Sequence, residues 1–168
     1  MKLVIFFLLF FLNFTTTSSG EIIKKIIVSG NDRISEETIK IFSDVKVNQD
    51  ISNVELNLIL KNLYDTNFFT NVTVKLENDS LLINVLEAPI IDKIEFTGVK
   101  AEKIKEALNK ITKLKSRSSY NEFLIKNDRN LIKNYLKNIG YYFAKVETII
   151  ENLDNNLVKV EHEINLGN

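Results

Sequence analysis

The strongest constraint on this chain is a unit that occurs twice. The first copy opens with Ile26-Ile27-Val28-Ser29-Gly30-Asn31 and the second with Ile94-Glu95-Phe96-Thr97-Gly98-Val99, so Gly30 and Gly98 mark a period of 68 residues. Further along, Leu60-Lys61-Asn62-Leu63-Tyr64 answers Ile132-Lys133-Asn134-Tyr135-Leu136. Asn67-Phe68-Phe69-Thr70-Asn71-Val72 then answers Gly140-Tyr141-Tyr142-Phe143-Ala144-Lys145-Val146. Self-similarity at a fixed period means one supersecondary module used in tandem. Tandem modules of this size bind or scaffold, and few enzymes are built from them.

A leader precedes the repeat. Met1-Lys2 is followed by an unbroken apolar run, Leu3 to Leu12, and then by small and polar residues up to Ser18, Ser19 and Gly20. That order describes a secretory signal peptide over residues 1–20, with the mature chain starting near Glu21. Ten apolar residues are too few to cross a bilayer, which takes about 20. Without Lys2 the mature chain has 21 basic against 22 acidic residues, leaving no basic excess to draw nucleic acid or an anionic membrane surface. There is no cysteine, so an exported chain of this kind relies on its hydrophobic cores alone. Two cores of about 70 residues each lie near the lower limit for independent folding, which makes contact between the modules important.

The first module, residues 21–89, reads as strand, helix, helix, strand, strand. Glu21 to Val28 is rich in β-branched residues and runs into the turn at Ser29-Gly30-Asn31. Ser35 caps a helix whose first turn holds Glu36 and Glu37, with Ile39 and Phe42 facing inward. Ser52-Asn53-Val54-Glu55 is a capping box, with Ile51 and Leu56 as a hydrophobic staple. It leads a helix with Leu56, Ile59, Leu60, Leu63 and Tyr64 at core spacing, ending near Asp65-Thr66-Asn67. Val72, Val74 and Leu76 then alternate with Thr73, Lys75 and Glu77 as a half-buried strand, and Asn78-Asp79-Ser80 turns into a return strand facing Leu81, Ile83 and Val85 inward.

The second module, residues 90–168, repeats the order. Ile90 to Phe96 is a strand closed by Gly98, and Glu102 to Ile111 is a helix with Ile104, Leu108 and Ile111 on one side. Lys113 to Ser118 is a polar linker. Ser119-Tyr120-Asn121-Glu122 offers a second capping box for a long helix with Leu124, Leu131, Ile132, Tyr135, Leu136 and Ile139 inward, and Gly140 suits its left-handed end. Ala144, Val146, Thr148 and Ile150 alternate as a strand, Asp154-Asn155-Asn156 is the hairpin turn, and Val158, Val160, His162 and Ile164 face inward on the last strand. Both modules are therefore α+β.

The side chains that could carry chemistry have simpler explanations. His162 is the sole histidine, and its strand phase, with Val158, Val160 and Ile164, makes it a histidine at the edge of the core. A metal or catalytic role needs partners, and the chain has neither cysteine nor a second histidine. Glu36 and Glu37 are helix neighbours that do not face each other, and the isolated Gly30 and Gly98 resemble no phosphate-binding loop. Asn71-Val72-Thr73 and Asn78-Asp79-Ser80 match glycosylation sequons that are frequent by chance. The aromatic clusters Phe68-Phe69 and Tyr141-Tyr142-Phe143 are expected to pack in the cores. The expectation is no enzyme, no catalytic residue, no cofactor and no metal.

The strand-helix-helix-strand-strand order, the I-x-[VF]-x-G opening and a Y-x4-G-Y-x2-A-x-V segment formed by Tyr135, Gly140, Tyr141, Ala144 and Val146 resemble POTRA (polypeptide-transport-associated) domains. A signal peptide followed at once by two such domains is similar to the start of the outer-membrane protein assembly factors of Gram-negative bacteria. The second module fits closely. The first departs from the pattern with Asn67 where glycine is common before the aromatic pair. Family members continue into further such domains and a membrane β-barrel. Since Asn165-Leu166-Gly167-Asn168 lies just past a strand, the chain is expected to be a piece of a longer protein, meeting the membrane only through that absent barrel.

The resemblance implies that the last strand of each module is central and the first two are edges. An exposed edge can accept an extended peptide by backbone pairing, nearly regardless of sequence. The candidate edges are Val72, Thr73, Val74, Lys75, Leu76 and Glu77 in the first module and Ala144, Lys145, Val146, Glu147 and Thr148, on to Ile150, in the second. The competing reading is that module contacts or the charges of Lys75, Glu77, Lys145 and Glu147 protect them. The resemblance further implies unfolded outer-membrane protein precursors, periplasmic chaperones and assembly lipoproteins as partners, at the periplasmic face of the outer membrane. Translocation-module proteins, two-partner secretion transporters and a free periplasmic adaptor are the alternatives. The short joint Glu87-Ala88-Pro89-Ile90 implies a semi-rigid arm.

Overall fold

The computed structural model describes residues 21–167, so the leader expected over residues 1–20 lies outside the described residues. The chain runs β1 (Glu21–Ile22), β2 (Lys25–Ser29), α1 (Glu36–Ser43), β3 (Asp50–Ile51), α2 (Asn53–Asp65), β4 (Phe69–Glu77) and β5 (Ser80–Glu87). It continues with β6 (Ile90–Thr97), α3 (Glu102–Ile111), α4 (Glu122–Asn138), β7 (Lys145–Leu153) and β8 (Leu157–Asn165). Two three-stranded sheets result, ordered β2-β5-β4 and β6-β8-β7. In each, the first strand runs parallel to the last and the second runs antiparallel to it. The α+β class, the two tandem β-α-α-β-β modules and the central place of the last strand all agree with the sequence reading.

Helix caps fix the local structure. The Ser35 Oγ accepts from the Thr38 N–H at 3.2 Å, and Lys40 meets Glu36 one turn away at 3.2 Å. At α2 the Glu55 carboxylate does the capping, accepting from the Ser52 N–H at 2.6 Å and its Oγ at 2.5 Å. Those bonds hold the Glu55 carboxyl below its usual range. Asn67, the departure from the glycine pattern, has φ 59, and Gly140 at the matching place has φ 103. Asparagine tolerates the left-handed region better than other side-chain-bearing residues, so the turn survives the exchange.

The repeat glycines are required by close approach. Both have φ 78, and a Cβ would lie 2.1 Å from the Val85 carbonyl oxygen at Gly30 and 1.9 Å from the Ile164 carbonyl oxygen at Gly98. Each glycine thus lets the end of the first strand pass against the central strand of its own sheet.

The cores sit between each sheet and its helix pair. In the first module Val28, Ile39, Ile59, Leu63, Val72, Leu81, Ile83 and Val85 belong to one apolar cluster. In the second the apolar residues fall into two clusters, one around Leu108, Ile132, Leu136 and Ile164 and one around Ile91, Ile125, Val158 and Val160. Buried polar residues separate them along each element: Thr112 on the chain after α3, Asp128 on α4 and His162 on β8. Asp128 accepts from the Lys113 and Leu114 N–H groups at 2.6 and 2.9 Å, tying down the loop between the helices. His162 stacks on Phe96 with centroids 5.4 Å apart, and its Nδ1 lies 3.0 Å from the Thr148 hydroxyl. Burial lowers the His162 pKa, with Asp128 pulling the other way.

Several local expectations fail. The opening strand is broken in two because the Ile23 N–H donates to Gln49 and its carbonyl accepts from Asn48, which pulls that residue out of line. Ser119 does not cap α4. Asn121 does, accepting from the Leu124 N–H at 3.0 Å, while Ser119 bridges to Ile90. On α4 Leu124, Ile132 and Leu136 pack inward as expected, joined by the buried Ile125 and Asp128, while Ile139, just past the helix end, is exposed. Ala144 lies just before β7, in a turn bonded to Tyr141. Phe68 and Phe69 pack in the core as expected, but Tyr142 and Phe143 are 70% and 76% exposed.

Candidate peptide-binding edges and the adjoining cleft

Backbone direction decides what an edge can offer. The two-residue turn Asn78-Asp79, with φ 50 and 58, makes Glu77–Ser80 the closing pair of the β4–β5 hairpin. Glu77, Lys75 and Thr73 therefore spend their backbone groups on β5, and Val72, Val74 and Leu76 turn theirs outward. β7 occupies the same side of its central strand beneath the same helical face, so strand chirality turns Val146, Thr148 and Ile150 outward in the same way.

Every candidate site residue except Ala144 stands on one of these two edge strands. Val72 and Val146 are buried, Val74, Leu76 and Thr148 half-buried, and all five point toward the helices. Thr73, Lys75, Glu77, Lys145 and Glu147 are exposed on the opposite, open face, where the four charged residues make no ion pair among the described residues.

The two edges differ in a way the sequence reading missed. The Tyr64 hydroxyl accepts from the outward Val72 N–H at 3.1 Å and reaches the Asn71 side chain at 3.5 Å. Tyr64 was expected inside, yet it is 44% exposed with its ring tip on the strand. The matching residue in the second module is Leu136, which is fully buried and has no hydroxyl. No side chain among the described residues meets the outward amides of β7.

Beside β7 lies a cleft of about 500 Å³, bounded by Thr148 and Ile150 on the strand and by Phe123, Ile125, Lys126 and Arg129 on α4. Phe123 is 76% exposed. The Arg129 Nε is buried without a hydrogen-bond partner among the described residues. A second cleft of about 310 Å³ shares Tyr120, Glu122 and Phe123 with the first and extends to Tyr64, Asn67 and Thr70 of the first module. Burial, and then the Glu122 charge, pushes the Tyr120 phenol up, so it stays protonated.

The joint under this second cleft is closely tied. Ala88 donates to Phe68 at 2.8 Å, Ile90 to Asn156 at 2.9 Å, and Tyr120 to Pro89 at 2.7 Å. The Asn121 side chain donates to Asn67 at 2.6 Å and the Asn156 side chain to the Glu87 carbonyl at 3.3 Å. The buried Glu87 carboxylate accepts from three successive N–H groups, Asp32, Arg33 and Ile34, at 2.8–3.0 Å. Burial pushes its pKa up, but those bonds and Arg33 outweigh burial and hold it below the usual range. On the open face of the second sheet, Lys159 and Lys93 hold the Glu95 carboxyl down at about 2.

The POTRA family model, described as a surface antigen variable number repeat, matches residues 89–167. Over 137 residues the chain is 28% identical to the outer membrane protein assembly factor BamA of Neorickettsia risticii (strain Illinois), covering 82% of this chain and 18% of that protein. Over 78 residues it is 35% identical to BamA of Neisseria meningitidis serogroup B (strain ATCC BAA-335 / MC58), covering 46% of this chain and 10% of that protein. The chain thus spans less than a fifth of the length of these curated relatives. The N-terminal domain of Omp85 from the thermophilic cyanobacterium Thermosynechococcus elongatus matches with a TM-score of 0.56 at 14% identity, covering 84% of this chain and 61% of that one. At that identity the likeness is one of fold.

Proposed function

We infer that this chain, similar to the POTRA family model over residues 89–167 and to BamA over 137 residues, receives unfolded β-barrel precursors and scaffolds their assembly into the outer membrane by adding an extended segment to its free sheet edges. The proposed division is a leader over residues 1–20, a first POTRA domain over 21–89 and a second over 90–168. The work is binding rather than catalysis, at the periplasmic face of the outer membrane, with unfolded precursors, periplasmic chaperones and assembly lipoproteins as partners. No described helix is long and apolar enough to cross a membrane.

The observation that carries this reading is the β7 edge. Val146, Thr148 and Ile150 present a row of outward donors and acceptors beside a cleft that mixes apolar side chains, Phe123, Ile125 and Ile150, with charged ones. An added strand satisfies the backbone row whatever its sequence, while the cleft receives alternate side chains. The same pairing on β4 starts one amide short, because Tyr64 already holds Val72.

The test is titration of the isotope-labelled chain with an unfolded outer-membrane β-strand peptide. Amide shifts should concentrate on Val146–Ile150 and be weaker on Val74–Leu76. A titration that moves no amide along either edge refutes the reading.

A further inference from the structure

Arg129 is the feature that general strand addition leaves unexplained. It lines the cleft beside β7, and its buried Nε has no partner among the described residues. A guanidinium N–H left unpaired away from water is costly, and a carboxylate is its best geometric match. Lys126, one turn earlier on the same wall, adds a second positive charge, and Glu122 is the sole acidic residue lining the cleft.

The spacing specifies where a guest would place its charge. Ile125 and Arg129 are four residues apart on α4, about 6 Å along the axis. Side chains two apart on a strand are about 6.6 Å apart on one face. A strand added to β7 would therefore set one helix-side residue against Ile125 and the next against Arg129.

Resting on the strand-addition reading above, we propose that the segment captured on β7 is selected for an Asp or Glu two positions from an apolar residue, with the carboxylate paired to Arg129.

The experiment compares two extended peptides that differ only by Glu against Gln at the charged position, titrated into the chain and followed by amide shifts on β7. The Glu peptide should bind about tenfold tighter, as a charge-assisted bond to Arg129 requires, and the gap should shrink in high salt. Arg129→Gln should erase the preference, while Lys126→Gln should only narrow it. Equal binding of the two peptides with β7 shifts intact overturns the carboxylate proposal and leaves strand addition standing. Absence of β7 shifts with either peptide overturns both. The peptide comparison needs no variant, so it decides the matter even where Arg129→Gln fails to fold.

Discussion

The two modules share a topology and place their polar groups in opposite ways. The first has one apolar core and spends a side chain, Tyr64, on its edge. The second carries Thr112, Asp128 and His162 through its core and leaves its edge unspent. Their open faces differ too, since the first shows Ile27 and Leu86, 38% and 61% exposed, where the second shows the Lys93–Glu95–Lys159–Glu161 network. A duplicated fold therefore fixes strand order and glycine positions while leaving free which copy is solid inside and which is open at the side.

The glycines are where the copies should behave alike. Gly30→Ala and Gly98→Ala each force a Cβ against a backbone carbonyl at positive φ, and each should cost about 3 kcal/mol or more by denaturant unfolding. A loss in one copy alone would break the symmetry. The next largest effect should fall on the second module only. Asp128→Ala leaves the Lys113 and Leu114 amides without their acceptor and should cost about 2 kcal/mol, read as faster hydrogen exchange at Leu136 than at Leu63.

Acid should separate the modules with a smaller effect. The folded His162 pKa is lowered from 6.5, so the unfolded chain binds the proton first. Stability from this group is full above about pH 6.5 and is lost as pH falls below it. Glu87 is lowered from 4.5, so its contribution to the first module persists until pH falls below that value. Between those values amides of the second module should lose exchange protection while those of the first keep it, and His162→Gln should abolish the difference. Smallest of all, Tyr64→Phe should cost about 0.5–1 kcal/mol of stability through the lost bond to Val72. It should also raise peptide-induced shifts on β4 toward those on β7, and shifts that stay unequal would show that Tyr64 is not what distinguishes the edges.

Much of this was readable from the sequence because it rests on local period. The alternation of Val72, Val74 and Leu76 and of Val158, Val160 and Ile164, the Ser35 cap and the Asn78-Asp79 turn were all legible, and so was α3 from end to end. What escaped notice depends on partners distant in sequence. Glu87 and Asp128 stand in the inward phase of their elements, a charge where an apolar residue is due, and that was the available signal. Their partners, the amides of 32–34 and 113–114, cannot be read from any window around them. Tyr64 fits the apolar stripe of α2, and only the fold reveals that its hydroxyl reaches a strand. The exposed Tyr142, Phe143 and Phe123 follow from the one-way nature of burial: cores are apolar, but apolar residues need not be in the core.

The central place of the last strand has a consequence for the order of events when the chain is delivered end first. β2 pairs with β5 and β6 with β8, so neither sheet can close until the final strand of its own module has arrived. Until then the first strand and both helices of a module lack the surface they pack on, and the chain behind the leading end stays pliable. Once β5 docks, the first module can finish before β8 exists. A chain wired this way resists early closure and then matures one module at a time, from the leading end to the trailing end.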